Sequence, residues 1–125
     1  MGKEFNVTEF ENDGFLHSRT KGVNVNFNKK SFVIDMHAAD LKNGGYITTC
    51  TMTITDWWDL EVIEYHGDKV INKFKGNDIP ELDSIVGFTY DDNVLILEDL
   101  CGIDELYHFK FTKPNIQITG EYDPD

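Results

Sequence analysis

Polar and apolar side chains alternate along residues 46–54, the most regular stretch of the chain. Met52 and Ile54 fall on one side with other apolar residues, and threonines dominate the other side. A period of two with many β-branched residues predicts a β-strand that is buried on one face and hydrated on the other. The alternation resumes in residues 60–65. We therefore expect two strands here, around which the rest of the fold is arranged.

This alternation is interrupted between the two strands by the segment Asp56, Trp57, Trp58 and Asp59. Adjacent side chains of a strand point to opposite faces, so neighbouring tryptophans do not share one face. We expect a bend or bulge at this point, with one indole in the core and the other at or near the surface. An exposed indole between carboxylates suits contact with a basic protein surface.

Similar alternation divides the rest of the chain into further strands with short polar connections. Gly, Asn, Asp, Lys and Pro concentrate at the predicted turns, which lie at residues 12–14, 28–30, 43–45, 66–68, 91–93 and 113–114. The remaining predicted strands cover residues 4–10, 22–28, 31–38, 69–75, 94–97, 105–112 and 115–122, with residues 15–18 as a second hairpin arm after 4–10. Residues 88–90 form a short β-type run.

One short helix is predicted near residues 79–86. Asp78 is placed to cap its first turn, Glu81 occupies the position of the returning carboxylate in a capping box, and Pro80 suits the start of a helix. Apolar residues then recur at helical spacing until Gly87, where we expect the helix to end.

About nine or ten strands with one short helix indicate a mainly β fold, either an antiparallel sandwich or a partly open barrel of meander hairpins. The 125 residues are enough for one hydrophobic core, so we expect a single domain over residues 1–125. The sequence has no stretch of signal-peptide type and none apolar enough to cross a bilayer. These features predict a cytoplasmic protein without a membrane partner.

Acidic residues outnumber basic residues by 23 to 11, which gives a formal net charge of -12. The excess lies in residues 51–125, which hold 17 acidic and five basic residues, whereas residues 1–50 hold six of each. Such a charge repels nucleic acid and anionic membranes and attracts basic proteins. We expect a basic protein as the partner and no nucleic acid. Acidity alone also serves solubility and the protection of strand edges.

Patterns typical of catalysis or cofactor binding are absent from the sequence. The serines lie outside any nucleophile motif, and the glycines form no phosphate-binding loop before a helix. Cys50 shares the apolar face of its strand and is expected to be a buried thiol rather than a disulfide partner. The histidines fall on separate elements without metal-ligand spacing: His17, His37, His66 and His108. We expect no enzyme activity, no cofactor and no metal.

The residues predicted to contact a partner form two acidic groups. The first surrounds the tryptophan pair, and the second follows the predicted turn at residues 91–93. The first group comprises Asp56, Trp58, Asp59, Glu61 and Glu64, and the second comprises Asp91, Asp92, Glu98, Asp99 and Asp104.

Three segments carry a resemblance to a known class of protein: TITDWWDLEVIEYHG, YDDNVLILEDLCG and FKFTKPNIQI. Together they resemble the small β-rich immunity proteins encoded beside bacterial polymorphic toxins, including contact-dependent growth inhibition systems. The resemblance covers residues 45–122. It implies a cytoplasmic protein that binds and neutralises a cognate toxin domain, often a nuclease, inside the producing cell.

Two other functions are compatible with the sequence. A small-molecule carrier would line a barrel cavity with aromatic side chains such as Phe32, Tyr46, Phe109 and Phe111. An acidic inhibitor that mimics nucleic acid would need carboxylates in two rows that are spaced like phosphates.

Overall fold

Ten β-strands build the part of the chain that the computed structural model describes, which is residues 3–10, 18–42, 44–82, 84–102 and 105–123. Two 3-10 helices, Val7–Glu9 and Gly76–Asp78, accompany them. The strands are β1 (Lys3–Phe5), β2 (Ser18–Asn26), β3 (Ser31–Asp40), β4 (Tyr46–Thr55), β5 (Asp59–His66), β6 (Lys69–Lys75), β7 (Ser84–Asp91), β8 (Val94–Gly102), β9 (Glu105–Thr112) and β10 (Asn115–Asp123). Residues 15–17 of one predicted strand lie outside the described residues.

The strands form two antiparallel sheets that share β2. The first sheet has the order β1-β10-β4-β3-β2, and the second has the order β2-β7-β8-β9-β5-β6. The Gly22–Asn26 part of β2 pairs with β3, whereas Ser18 and Arg19 pair with β7. No pairing joins β1 to β6 in the described part of the chain, so the sheets do not close into a barrel. The predicted mainly β, antiparallel sandwich is confirmed.

The core lies between the inner faces of the two sheets. Phe32 of β3 meets Phe109 and Phe111 of β9 edge to face, with ring centroids 6.2 and 5.3 Å apart. Ile34 and Leu97 are fully buried beside them. Burying an aliphatic or aromatic side chain of this size contributes about 1.5–3 kcal/mol, so these contacts hold the two sheets together.

The alternation has the predicted orientation in β5 and in β4 from Cys50 onward. At the start of β4 the prediction is wrong: Ile47 is fully buried and Thr48 is more accessible, because the chain changes face at Thr49, which has a φ of +50°. Met52 and Ile54 of β4 and Leu60 and Val62 of β5 are buried, and the residues between them are more accessible. A strand with one apolar face gains most by packing that face on the opposite sheet. The pattern of residues therefore determines which face of each strand points inward.

The short helix predicted near residues 79–86 is wrong. A 3-10 turn at Gly76–Asp78 ends β6, and β7 begins at Ser84. Ile85 is buried and pairs with Asp99 of β8. The capping signal acts only locally, whereas the extended chain gains the ladder hydrogen bonds and burial that β8 provides, and these outweigh helix propensity.

The strand predicted for residues 4–10 is shorter than expected. β1 ends at Phe5, and the 3-10 helix Val7–Glu9 follows. The Asn6 side chain accepts a hydrogen bond from the N–H of Thr8, and the Glu9 carboxylate accepts one from the N–H of Asn6 at 2.7 Å. These local bonds satisfy donors that a longer strand would have placed in the sheet.

Candidate partner-binding site

The bend between β4 and β5 separates the two tryptophans. Asp56 has a φ of +54°, and its N–H donates to the Lys30 carbonyl at 3.1 Å. Trp57 is 5% exposed, whereas Trp58 is 70% exposed. The predicted bend, with one indole in the core and one at the surface, is confirmed.

Trp57 anchors the bend to the core. Its ring meets the ring of Phe111 edge to face at a centroid distance of 5.5 Å. Its carbonyl accepts a hydrogen bond from Lys30 Nζ at 2.9 Å. Because both the side chain and the backbone of Trp57 are held, the position of the next residue is fixed before any partner arrives.

Trp58 projects from this anchor toward solvent. The backbone N–H of Trp58 donates a hydrogen bond to the carbonyl of Thr112 at 2.8 Å. The Nζ of Lys113 lies 3.8 Å from the centroid of the Trp58 ring. A lysine over an indole face at this distance makes a cation–π contact. The contact restrains the indole while leaving most of its surface accessible.

The turn between β7 and β8 lies on the same end of the second sheet. Asp92 and Asn93 have φ values of +51° and +61°, as a two-residue hairpin turn requires. The carbonyl of Asn93 accepts a hydrogen bond from the N–H of Lys113 at 2.7 Å. The turn is thereby tied to the segment that carries the lysine above Trp58.

Strand register brings part of each predicted acidic group to one end of the second sheet. Asp91 pairs with Val94, Val94 with Thr112, and Thr112 with Asp59, so the two aspartates occupy one row across four strands. Three strand spacings separate them by roughly 14 Å. The residues gathered at this end of the second sheet, which we call the Trp58 surface, are Asp56, Trp58, Asp59, Asp91, Asp92 and Lys113.

Lysines interrupt the negative charge of this region. Lys75 Nζ lies 3.4 Å from both carboxylate oxygens of Asp59 and 4.0 Å from Glu61. Lys110 of β9 lies directly opposite Glu61 in the strand register. The surface is therefore a mixture of charges around an indole, rather than the continuous acidic face that the composition of residues 51–125 predicts.

The sequence pattern does not identify Lys30 and Lys113 as parts of this site. Both residues lie in turns that the sequence predicts, at 28–30 and 113–114. Their only signal is a lysine at a turn, and that signal does not reveal which neighbouring loop each lysine contacts.

The other predicted contact residues lie away from the Trp58 surface. Glu64 accepts a hydrogen bond from Asn72 Nδ2 at 3.1 Å, and Glu98 pairs with His108 on β9. Asp99 is only 2% exposed, so its assignment to a partner-binding surface does not agree with the structure. It shares the inner side of β8 with buried leucines, which explains its burial. Asp104 lies outside the described residues.

A cleft of about 720 Å³ opens beside the Trp58 surface. Tyr90 and Pro114, the neighbours of Asp91 and Lys113, form one wall, and the segment from Glu4 to Glu9 forms the other. The cleft offers room for part of a partner next to the exposed indole. It joins residues that are far apart in sequence, so no local pattern predicts it.

The aromatic residues expected in a carrier do not surround a common cavity. Phe32, Phe109 and Phe111 pack on one another and are buried, and Tyr46 donates its hydroxyl hydrogen to Asp123 at 3.1 Å. A pocket of about 370 Å³ includes Phe32 in its lining, and most of its other lining residues are hydrophobic. It is lined by Val23, Val25, Phe27, Phe32, Ile79, Pro80, Glu81 and Leu82.

The titratable side chains of the described residues show little that resembles reaction chemistry. Burial lowers the pKa of His108 below its ordinary value, and the charge of Glu98 opposes this shift. Burial raises the pKa of the Cys50 thiol to about 12, with a contribution from Asp35, and Cys50 is free, as expected. Within the described ranges no three His, Cys, Asp or Glu side chains form a group suited to a metal ion. His17 and the His37 side chain are not described.

No helix in the described part of the chain has the length and apolar character needed to cross a bilayer. No protein family, curated protein or solved structure matches the chain in comparisons of sequence and of fold.

Proposed function

We propose that this protein binds another protein through the Trp58 surface and acts as the immunity protein of a bacterial toxin domain. The observation that carries the proposal is the exposed Trp58 on a backbone anchored by the buried Trp57. A large aromatic side chain held in place before binding loses little conformational freedom on association. Tryptophan is also among the residues that most often dominate binding energy.

Charge supports a basic partner at two length scales. The net charge of -12 accelerates encounter with a cationic protein over distances up to about the Debye length of 10 Å at moderate salt. At contact, the aspartates of the Trp58 surface offer acceptors for lysine and arginine, while Lys113 and Lys75 offer donors to acidic groups. A mixture of signs favours one orientation of one partner over other basic proteins.

Neutralisation of the toxin follows in either of two ways. The protein occludes the toxin active site, or it binds an adjacent surface and blocks access of the substrate. In both cases the complex forms inside the producing cell, where the toxin would otherwise act. A cytoplasmic location and the absence of catalysis by the chain itself belong to the same proposal.

The experiment that tests the proposal mixes the purified chain with the toxin domain encoded by the neighbouring upstream reading frame. The proposal predicts a complex at micromolar concentration at low salt and protection of cells that express the toxin. Absence of both would contradict it. Binding that weakens with added salt would support the electrostatic part of the argument.

A second function is favoured by the apolar pocket beside Phe32. Its volume of about 370 Å³ is near the lower limit of pockets that hold small ligands, and Glu81 is its single charged lining residue. A small apolar molecule with a cationic group would fit this chemistry. Titration with an apolar fluorescent amine tests it, and a Leu82→Trp change that fills the pocket should abolish the signal.

A further inference from the structure

β6 forms one edge of the second sheet. Among the described strands it pairs only with β5, so the backbone N–H and C=O groups on its other side are available to a further strand. Free backbone groups at a sheet edge are a template for pairing with another chain, and lysines or a bulge at the edge oppose pairing with strands that do not complement them. Glu64 pairs with Asn72 and Tyr65 with Val70, so Ile71 is the extra residue of a bulge in β6.

Apolar side chains extend from this edge across the outer face of the sheet. Val70 and Ile71 are 52% and 49% exposed, and Leu100 is 53% exposed, which makes three of the five large hydrophobic side chains exposed in the described residues. Val70 pairs with Tyr65, Tyr65 with Leu106, and Leu106 with Leu100, in one row across four strands. We call Leu100, Leu106, Tyr65 and Val70 the β6 stripe. A connected apolar patch at a sheet edge is typical of an interaction surface.

β6 is also the most basic element of an acidic chain. Its seven residues include Lys69, Lys73 and Lys75 and no acid, and these are three of the five basic residues in residues 51–125. Lys75 is paired with Asp59. Within the described part of the chain, Lys69 and Lys73 have no ion-pair partner.

We propose that the β6 edge binds an extended, acidic strand of a partner protein, which continues the second sheet. The incoming strand would place a carboxylate opposite Lys73 and an apolar side chain opposite Val70, because directly opposite residues in neighbouring strands interact. Main-chain hydrogen bonds would supply affinity, and the lysines and the β6 stripe would supply specificity. β5 pairs with the other side of β6 in the same way, because its Glu61 lies opposite Lys75 and its Tyr65 lies opposite Val70.

A second copy of the chain does not suit this edge. Pairing of β6 with itself would bring Lys69, Lys73 and Lys75 of one copy close to the same residues of the other, and the two copies repel each other through their net charges of -12. Pairing of β6 with a different edge of another copy would generate a ring or an open filament, again between chains that repel each other. The lysines thus exclude copies of the chain while they attract an acidic strand.

The β6 stripe lies apart from the Trp58 surface, and β6 reaches that surface only at its last residue, Lys75, through the ion pair with Asp59. Asp59 begins β5 at the Trp58 surface, and Tyr65 lies near its other end, roughly 20 Å away at the rise of an extended strand. The inference therefore does not rest on the proposed toxin partner, and either one can fail alone.

The test uses the full chain and a synthetic peptide that alternates Glu and Val, with a peptide that alternates Lys and Val as the control probe. Binding is followed by fluorescence anisotropy of the labelled peptide and by backbone amide NMR of the protein. We expect binding of the acidic peptide alone, with shifts and slower amide exchange in β6. Lys73→Glu should weaken binding about tenfold, as expected for the loss of one charge-assisted contact.

Lys29→Glu is the matched control, because it makes the same change in net charge at an exposed turn outside the second sheet. It should change the affinity by less than about twofold at moderate salt. Thermal unfolding confirms that both variants fold. Absence of binding at millimolar peptide, equal losses for the two variants, or amide shifts at the Trp58 surface instead of β6 would each overturn the inference.

Discussion

The ring of Trp57 meets the ring of Phe111 at a centroid distance of 5.5 Å, and this contact fixes the point from which Trp58 leaves the sandwich. The two adjacent indoles therefore have different energetic roles. Replacement of Trp57 with alanine removes a buried aromatic side chain and should lower the free energy of unfolding by about 3–5 kcal/mol.

Replacement of Trp58 with alanine should lower the free energy of unfolding by no more than about 1 kcal/mol, since it removes one exposed cation–π contact. Denaturant unfolding of the two variants measures both values. Similar losses for Trp57→Ala and Trp58→Ala would contradict the division of roles between them.

A second prediction follows from the left-handed backbone conformation of Asp56. A β-branched residue is strained at a φ of +54°, whereas glycine adopts this conformation freely. Asp56→Val should destabilise the fold by about 1–2 kcal/mol, and Asp56→Gly should leave its stability nearly unchanged. Chemical denaturation of the two variants provides the measurement. Equal stabilities would show that the bend relaxes without strain.

His108 makes the stability of the protein depend on pH. Its pKa is lowered by burial, so the folded state favours the neutral imidazole, although Glu98 of β8 favours the charged form. The ring of Tyr65 on β5 packs against the imidazole ring of His108, with the two ring centroids 4.5 Å apart. Stability from this residue is present above the unfolded pKa of about 6.5 and is lost as the pH falls through the lower folded pKa.

The measurement compares unfolding free energies of the parent chain and His108→Gln across this pH window. The parent chain should lose more stability than the variant on acidification, because the other titrating groups are common to both. Parallel curves would contradict the assignment to His108.

Cys50 should be chemically inert in the folded protein. Its thiol is buried with a pKa raised to about 12, so almost no thiolate exists at neutral pH. In a Cys101→Ser background, where Cys50 is the single thiol of the chain, labelling by a thiol reagent should proceed only as fast as the protein unfolds. Rapid labelling under native conditions would contradict the burial of this side chain.

The strands follow from the sequence because their signal is local. The alternation in residues 50–54 and 60–65 assigns the buried faces of β4 and β5 correctly, and the adjacent indoles predict the bend between them. It fails for residues 46–48, because the left-handed backbone of Thr49 turns Ile47 to the buried face. The helix near residues 79–86 is wrong for the converse reason. Its capping residues act within one turn, whereas β7 is stabilised by pairing with β8, a strand that begins at Val94.

The charge of the candidate site depends on which strands become neighbours. Lys75 lies within ion-pair distance of Asp59 and Glu61 because β6 pairs with β5, and Asp91 joins the row of Asp59 only through β8 and β9. Neither relation has a local signal. The burial of Asp99 does have a local signal, because Asp99 continues the series of inward-facing residues of β8 that begins at Leu95.

The central claim is that Trp58 provides the anchor for a protein partner. The most direct measurement is the calorimetric affinity of Trp58→Ala for the cognate toxin domain, with Tyr122→Ala as the control for an exposed aromatic residue elsewhere on the surface. A loss of about 2 kcal/mol or more, roughly thirtyfold in Kd, is predicted for Trp58→Ala, with little change for Tyr122→Ala. An affinity of Trp58→Ala within about twofold of the parent chain, less than about 0.5 kcal/mol, would contradict the claim.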